Sequence, residues 1–201
     1  MSKPALAKKL SPGVFLYAAG SPPPQIPASA ISLPALPDSV FGDGSHPTTR
    51  LCTGAVDLLC RQESPAQILD VGTGTGVLAR IARARGVKHA VATDIDPEAL
   101  ASARAHAAMD TIPGEILVSS ELPDHWGPHF GLVVANILEG PLRGLSGNLS
   151  RALLPGGALL ISGFTPLQSH ALHTVFTGLG LEQVSESHLD GWALLLFRRR
   201  N

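Results

Sequence analysis

This sequence of 201 residues has little cysteine, little net charge and no long apolar run. Its two cysteines, Cys52 and Cys60, stand eight apart in a segment of helical apolar spacing. That is roughly 12 Å along an axis rising about 1.5 Å per residue, too far for a disulfide. Two unbridged thiols fit a reducing cytoplasm and argue against a secreted, disulfide-stapled domain. Basic and acidic residues number 15 and 16, a formal net charge of −1, so no overall field gathers nucleic acid or an anionic membrane surface. No apolar stretch approaches the roughly 20 residues of a bilayer-crossing helix. The short run at residues 14–19, behind Lys8 and Lys9, follows Pro12 and Gly13 and does not read as a secretory signal. Intrinsic disorder is excluded as well, because 44% of the residues are hydrophobic and only 15% charged. What remains is one globular domain, long enough for a full core.

The stretch at residues 66–78, A-Q-I-L-D-V-G-T-G-T-G-V-L, is the most informative part of that domain. A short apolar run ends in Asp70 and then in Gly72, Gly74 and Gly76, the pattern of a strand turning sharply into a helix. Glycines there let the backbone bend, and they let a small molecule approach it with no Cβ between. A second apolar run, 90–93, ends in Asp94, 18 residues past Gly76, where the tip of a neighbouring parallel strand places a carboxylate on ribose hydroxyls. A third, 132–135, ends in Asn136. The glycine spacing separates two nucleoside classes. Dinucleotide-binding turns read G-x-G-x-x-G, whereas these glycines alternate behind an acid, and no Lys or Arg stands between Asp70 and Arg80 to balance a pyrophosphate. S-adenosylmethionine has no phosphate and carries a sulfonium and an ammonium, which a nearby carboxylate favours. A methyl-donor site is therefore the first reading. A nucleotide-dependent oxidoreductase and a tight turn without a ligand are the alternatives.

Taken in order, the chain opens with a proline-rich arm at residues 1–38. Nine of the 17 prolines fall within the first 47 residues, and Pro22, Pro23 and Pro24 exclude regular helix. Phe15, Leu16, Tyr17, Ile26, Ile31, Leu33 and Leu36 give the arm apolar side chains, leaving open whether it packs on the core or stays free. Every motif lies beyond it, so deleting residues 1–30 is expected to leave a folded protein. Residues 39–201 are expected to form the methyltransferase domain. Within it, residues 41–49, F-G-D-G-S-H-P-T-T, make a glycine-flexed loop leading into a helix with Pro47 in its first turn. Strands and helices then alternate, with strands at 67–71, 90–93, 115–118 and 131–135 and helices at 77–85, 97–109 and 142–153. A turn at Pro155-Gly156-Gly157 precedes a strand at 158–162 and a helix at 166–179. Two closing strands, 181–186 and 192–197, pair as an antiparallel hairpin through Leu189-Asp190-Gly191. The fold class is α/β, a doubly wound Rossmann-like sheet, mostly parallel with a C-terminal antiparallel hairpin, as in class I methyltransferases.

In this order, F-G-D-G-S-H-P-T-T-R-L-C, I-L-D-V-G-T-G-T-G-V-L-A, D-I-D-P, V-V-A-N-I-L, P-G-G-A-L-L-I-S-G-F and W-A-L-L resemble the PrmA family from about residue 41 to the C-terminus. The resemblance implies S-adenosylmethionine as cofactor and N-methylation of amines on a ribosomal protein. It also implies cofactor contacts from Thr49, Gly72, Asp94 and Asn136, to which the glycine turn adds Asp70, Gly74 and Gly76. The family carries a further N-terminal domain that captures the ribosomal protein, and the arm is too short to form one. The acceptor is expected to be a protein amine, because the N-I-L and S-G-F elements resemble those of a protein-lysine methyltransferase, with a small-molecule amine as the alternative. Asp43 stands where threonine is usual, and Thr73 and Thr75 where cysteine and serine are common. Glu139 stands where a small residue is usual, and it either binds an ammonium or caps a helix.

Transfer from a sulfonium needs donor and acceptor held in line, and neither a nucleophilic side chain nor a metal. Only a neutral amine attacks, and deprotonating a lysine of pKa about 10.4 at pH 7 costs roughly 4.6 kcal/mol. Asn136 is the expected catalytic residue, because its side-chain carbonyl accepts hydrogen bonds from the amine without adding charge. His46, Ile137, Leu138 and Glu139 are the expected substrate contacts, His46 being either a proton acceptor or a structural loop residue. A methyltransferase-like module that binds without turnover is the remaining alternative.

Overall fold

The computed structural model describes residues 7–37, 39–112, 115–121 and 129–201, so the expected arm boundary at residue 38 lies outside the described residues. The chain begins with three short strands, β1 (Lys8–Ser11), β2 (Val14–Ala18) and β3 (Ile31–Ala35), and continues into α1 (Pro47–Glu63). An alternating series follows: β4 (Gln67–Val71), α2 (Val77–Ala84), β5 (His89–Thr93), α3 (Pro97–Ala107), β6 (Ile116–Ser119) and β7 (Phe130–Asn136). The remainder is α4 (Glu139–Gly144), α5 (Ser146–Ala152), β8 (Leu153–Phe164), α6 (Pro166–Gly178), β9 (Leu181–Leu189) and β10 (Trp192–Arg199).

Seven strands form the main sheet in the order β6-β5-β4-β7-β8-β10-β9. The first five are parallel, and β10 enters antiparallel between β8 and β9. This is the α/β fold the sequence predicts. The central strands are apolar on both faces, as a parallel sheet covered by helices requires. Ile68, Leu132, Val134 and Leu160 pack beneath Cys52 and Val56 of α1 and Ile81 of α2. Their strand neighbours Leu69, Val133, Ala135 and Leu159 point the other way, towards Leu142, Leu149, Leu172 and Phe176 of α4, α5 and α6. The closing hairpin turns on Asp190 and Gly191, both at positive φ, with Leu189 opposite Trp192. A turn with two such residues matches the twist of the strands it joins.

Two expected elements differ. The helix expected over 142–153 is two helices, broken at Leu145, where the Ser146 hydroxyl donates to the Arg143 carbonyl at 2.8 Å and satisfies a group the break frees. The turn at Pro155-Gly156-Gly157 lies inside β8 instead of before it. Its register explains this, because Phe130 faces Leu153 while Leu132 faces Ala158, so residues 154–157 are extra length absorbed without leaving the sheet.

The described part of the arm, residues 7–37, packs against the core. β2 pairs antiparallel with β1 and parallel with β3, and Leu10, Val14, Leu16 and Leu33 join the buried cluster of α1 and α2. Pro34 is tolerated because β3 is an edge strand. Arg85 ties the arm down: its Nε pairs with Asp57 at 2.5 Å, and its Nη1 and Nη2 donate to the carbonyls of Ser29 at 2.8 Å and Gly13 at 3.1 Å. The expectation that residues 1–30 are dispensable therefore gives way, since these apolar residues fill the core.

Candidate active site

The C-terminal ends of the parallel strands open into a cavity of about 580 Å³, the place where open α/β sheets bind ligands. Its floor is the turn after β4. Gly72, Gly74 and Gly76 stand at φ +69°, +54° and +77°, which glycine adopts without the steric cost an L side chain meets. The N–H groups of Gly72 and Thr73 both donate to the Thr93 carbonyl, at 2.8 and 2.9 Å. A Cβ at Gly74 would collide with the Phe41 carbonyl, and one at Gly72 with Ile137. These glycines make room for two other parts of the chain, which in turn wall the cavity.

Two acids flank the turn in different ways. Asp94, at the tip of β5, lines the cavity and accepts the Gly74 N–H at 3.0 Å and the Asp96 N–H at 3.1 Å. Each oxygen keeps acceptor capacity for a ligand. Asp70 is only 1% exposed and does not reach the cavity wall. Its Oδ2 accepts the Thr73 hydroxyl at 2.6 Å and the Ala79 N–H at 3.3 Å, so it serves the first turn of α2, where Gly76 offers no side-chain cap. Burial pushes its carboxyl up to about 6, and the Asp94 charge adds to that against the two hydrogen bonds.

The end of β7 supplies Asn136, whose Oδ1 is buried with no hydrogen-bond partner among the described residues, and then Ile137 and Leu138. All three line the cavity, Leu138 at its rim with 67% exposure. Ile137 is held there by its N–H to the Ser162 carbonyl at 3.1 Å and by Gly163, where a Cβ would strike the Ile137 main chain. Glu139 lies off the cavity wall, in the first turn of α4, paired with Arg143 at 3.2 Å.

His46 lines the cavity between two rings, with centroid separations of 5.1 Å to Phe41 and 4.7 Å to Trp192. It also caps α1. The Thr48 N–H donates to its Nδ1 at 3.3 Å, and the Thr48 hydroxyl lies 2.8 Å away. A main-chain N–H can only donate, so Nδ1 is an acceptor and the neutral ring carries its hydrogen on Nε2. The atom at which this imidazole takes up a proton is thus already engaged in the cap. Thr49 is buried in α1 with its hydroxyl unpartnered among the described residues, and Gly76 packs on Ala103.

Of the residues singled out from sequence, the fold brings His46, Gly72, Gly74, Asp94, Asn136, Ile137 and Leu138 to one cavity. It sets Thr49, Asp70, Gly76 and Glu139 behind or beside it. Phe41, Ile95, Glu98 and Trp192 line the same cavity and were not singled out for it. Ile95 had a local signal, a large apolar residue between two acids beyond a strand, and it is 79% exposed. Asp94, Asp96 and Glu98 face the cavity, and among the described residues no Lys or Arg lines it.

The chain matches the family model described as ribosomal protein L11 methyltransferase (PrmA) over residues 24–200. Among curated relatives, the ribosomal protein L11 methyltransferase of Geobacter metallireducens is 38% identical over 162 residues, covering 81% of this chain and 52% of that protein. That of Rhodopseudomonas palustris is 35% identical over 182 residues, covering 87% and 61%. The chain thus spans between half and two thirds of the length of these relatives. The crystal structure of ribosomal protein L11 methylase from Lactobacillus delbrueckii subsp. bulgaricus matches with a TM-score of 0.85 at 26% identity, over 97% of this chain and 99% of that one. The N-methyltransferase NodS of Bradyrhizobium japonicum, in complex with S-adenosyl-L-homocysteine, shares the fold at a TM-score of 0.57 and 16% identity, over 78% and 90%. Matched over most of its length by the family model and by relatives above 30% identity, the chain belongs to the ribosomal protein L11 methyltransferase (PrmA) family.

Proposed function

We propose that the chain is an S-adenosylmethionine-dependent N-methyltransferase acting on an amine of a protein, a ribosomal protein by its family. The observation that carries this reading is the buried Oδ1 of Asn136, without a hydrogen-bond partner among the described residues, on a cavity to which those residues also present Asp94, Asp96 and Glu98 and no Lys or Arg. A pyrophosphate is repelled by such a lining, whereas a phosphate-free, cationic ligand is attracted. The donor set therefore fits S-adenosylmethionine and disfavours a dinucleotide. When bound, the cofactor supplies a methyl group on a sulfonium, already activated for displacement.

The chain's own residues do the rest. Asp94 has acceptor capacity for ribose hydroxyls, and its bond to Gly74 keeps the turn and the carboxylate in one fixed relation. Asn136 offers the amine a neutral acceptor, which orients the nitrogen lone pair without stabilising the ammonium form as a carboxylate would. Ile137, Leu138, Pro141, Leu145 and Trp192 give that part of the wall an apolar character, which further favours the neutral amine. Among the described residues no helix is long and apolar enough to cross a membrane, and Cys52 and Cys60 are free, buried thiols. A reducing cytoplasm accommodates both features.

Calorimetric titration with S-adenosylmethionine and with NAD tests the cofactor, and binding is expected for the first alone. Asp94→Ala should weaken it by about 1.5 to 3 kcal/mol, as for a lost charge-assisted hydrogen bond. Incubation with labelled donor and a fractionated lysate tests the acceptor. Label in macromolecules is expected, and label confined to the small-molecule filtrate would replace the protein acceptor with a small amine.

A further inference from the structure

The segment from residue 39 to His46 runs between β3 and α1 and supplies Ser39, Val40 and Phe41 to the cavity wall. This strap is fixed in its middle by the Phe41 carbonyl, which accepts the Thr75 N–H at 3.0 Å, and at its end by the His46 cap on α1. Just upstream, the first main-chain N–H beyond β3, that of Leu36, donates to Nε2 of His106 at 3.2 Å. Nδ1 of the same ring lies 2.9 Å from the Ser102 carbonyl. Since an N–H only donates and a carbonyl only accepts, the two bonds define one neutral tautomer, with hydrogen on Nδ1 and a lone pair on Nε2. The ring is 2% exposed, away from the solvent that would otherwise replace the acceptor.

His106 belongs to α3, and the opposite end of that helix presents Asp96, Glu98 and Ala99 to the same cavity. One rigid helix therefore carries the acidic wall at its start and an anchor for the strap near its end. Arg80 reinforces the approach: it is paired through two bonds to Asp110, at 2.8 and 2.6 Å, and donates to the Pro34 carbonyl at 2.8 Å. The Ala35 carbonyl then accepts the Ala19 N–H at 2.9 Å, the Leu36 to His106 bond comes after it, and the strap follows.

We propose that His106 is a positioning residue, which sets the Phe41 strap against the glycine turn and so shapes the cavity wall without touching what binds there. For its effect on ligand affinity this rests on the proposed methyl-donor site; for its effect on the strap it does not.

Two measurements on the full chain separate these parts. In His106→Leu, hydrogen exchange at the Leu36 and Thr75 amides should lose protection about tenfold or more, while strands of the main sheet keep theirs. Affinity for S-adenosylmethionine should fall by a similar factor. His106→Gln, whose side-chain carbonyl reaches as an acceptor towards Leu36, should recover most of both. If His106→Leu does not fold, Leu36→Pro removes the donor instead and leaves the ring in place, with the same loss expected at Thr75. Unchanged protection at Thr75 overturns the proposal, and so does lost protection with undiminished cofactor affinity, or a glutamine variant no better than the leucine one. Should the unaltered protein itself bind no S-adenosylmethionine, the proposed function fails and the amide pattern alone decides whether His106 holds the strap.

Discussion

The carbonyl oxygen of Phe41 accepts the N–H of Thr75 at 3.0 Å and occupies the space that a Cβ at position 74 would need. The glycine turn and the strap in front of it are therefore one unit. Gly72, by contrast, is crowded by a side-chain atom, the Cγ2 methyl of Ile137, which yields only if that β-branched side chain changes its χ1 rotamer. Gly74→Ala should cost about 2 to 4 kcal/mol, combining a positive φ with a backbone collision, and Gly72→Ala less, about 1 to 3 kcal/mol, combining a positive φ with the displacement of one side chain. Urea denaturation of both variants checks the ranking. Equal losses would mean that the strap yields as readily as a side chain.

The Asp70 carboxyl, raised by burial to about 6 from its ordinary 3.8, makes the folded chain bind a proton that the unfolded chain releases. Its contribution to stability is fully present below the unfolded value and is lost as pH rises through the folded one. Asp70→Asn carries no charge at any pH and still offers a carbonyl to Thr73 and Ala79. It should flatten the stability profile between about pH 4 and 6 and match or exceed the parent at pH 7, by up to about 3 kcal/mol. Denaturation curves across that range decide it, and a variant with the parent's slope would assign the pH dependence to another group.

Asn136 and Glu139 lie three residues apart, and only Asn136 faces the cavity. Asn136→Ala is expected to lower kcat by about 100-fold, the scale of one oriented hydrogen bond at a reacting group. Glu139→Gln is expected to stay within about twofold, because its carboxylate is paired with Arg143 on the surface of α4, where such a pair contributes little. Steady-state kinetics with the acceptor distinguishes the two. A large loss in Glu139→Gln would bring that carboxylate back to the substrate.

Leu10, Val14 and Leu16 are buried in the cluster beneath α1 and α2. Removing residues 1–18 strips three side chains worth about 1.5 to 3 kcal/mol each, a sum comparable to the whole stability of a domain. The truncated chain is expected to lose its cooperative thermal transition or to aggregate. A transition within a few degrees of the full chain's would show that the arm contributes little to the core.

Much of the sheet can be read without coordinates. β4 spans Gln67–Val71 as expected, because a mostly apolar run bounded by Pro65 and Gly72 admits few other limits. Asp94 and Asn136 were placed together for a topological reason: parallel strands bring their C-terminal ends to the same edge of the sheet. Side-chain direction is harder. Thr49 and Asp70 sit one turn or one strand position from the cavity, yet both are buried off its wall, Asp70 against the first turn of α2, since which neighbour covers a side chain is set by packing.

What the sequence determined by itself is the alternation of strands and helices from β4 onwards, save the break between α4 and α5, the punctuation of the glycine turn and the family, all legible from patterns spanning a few residues each. The tertiary structure alone decided that Phe41 and Trp192, far apart along the chain, meet on either side of His46, and that a proline-rich arm completes the core. Both outcomes depend on surfaces that exist only after the sheet has formed, and no local pattern of residues encodes the shape of a partner that distant in the chain.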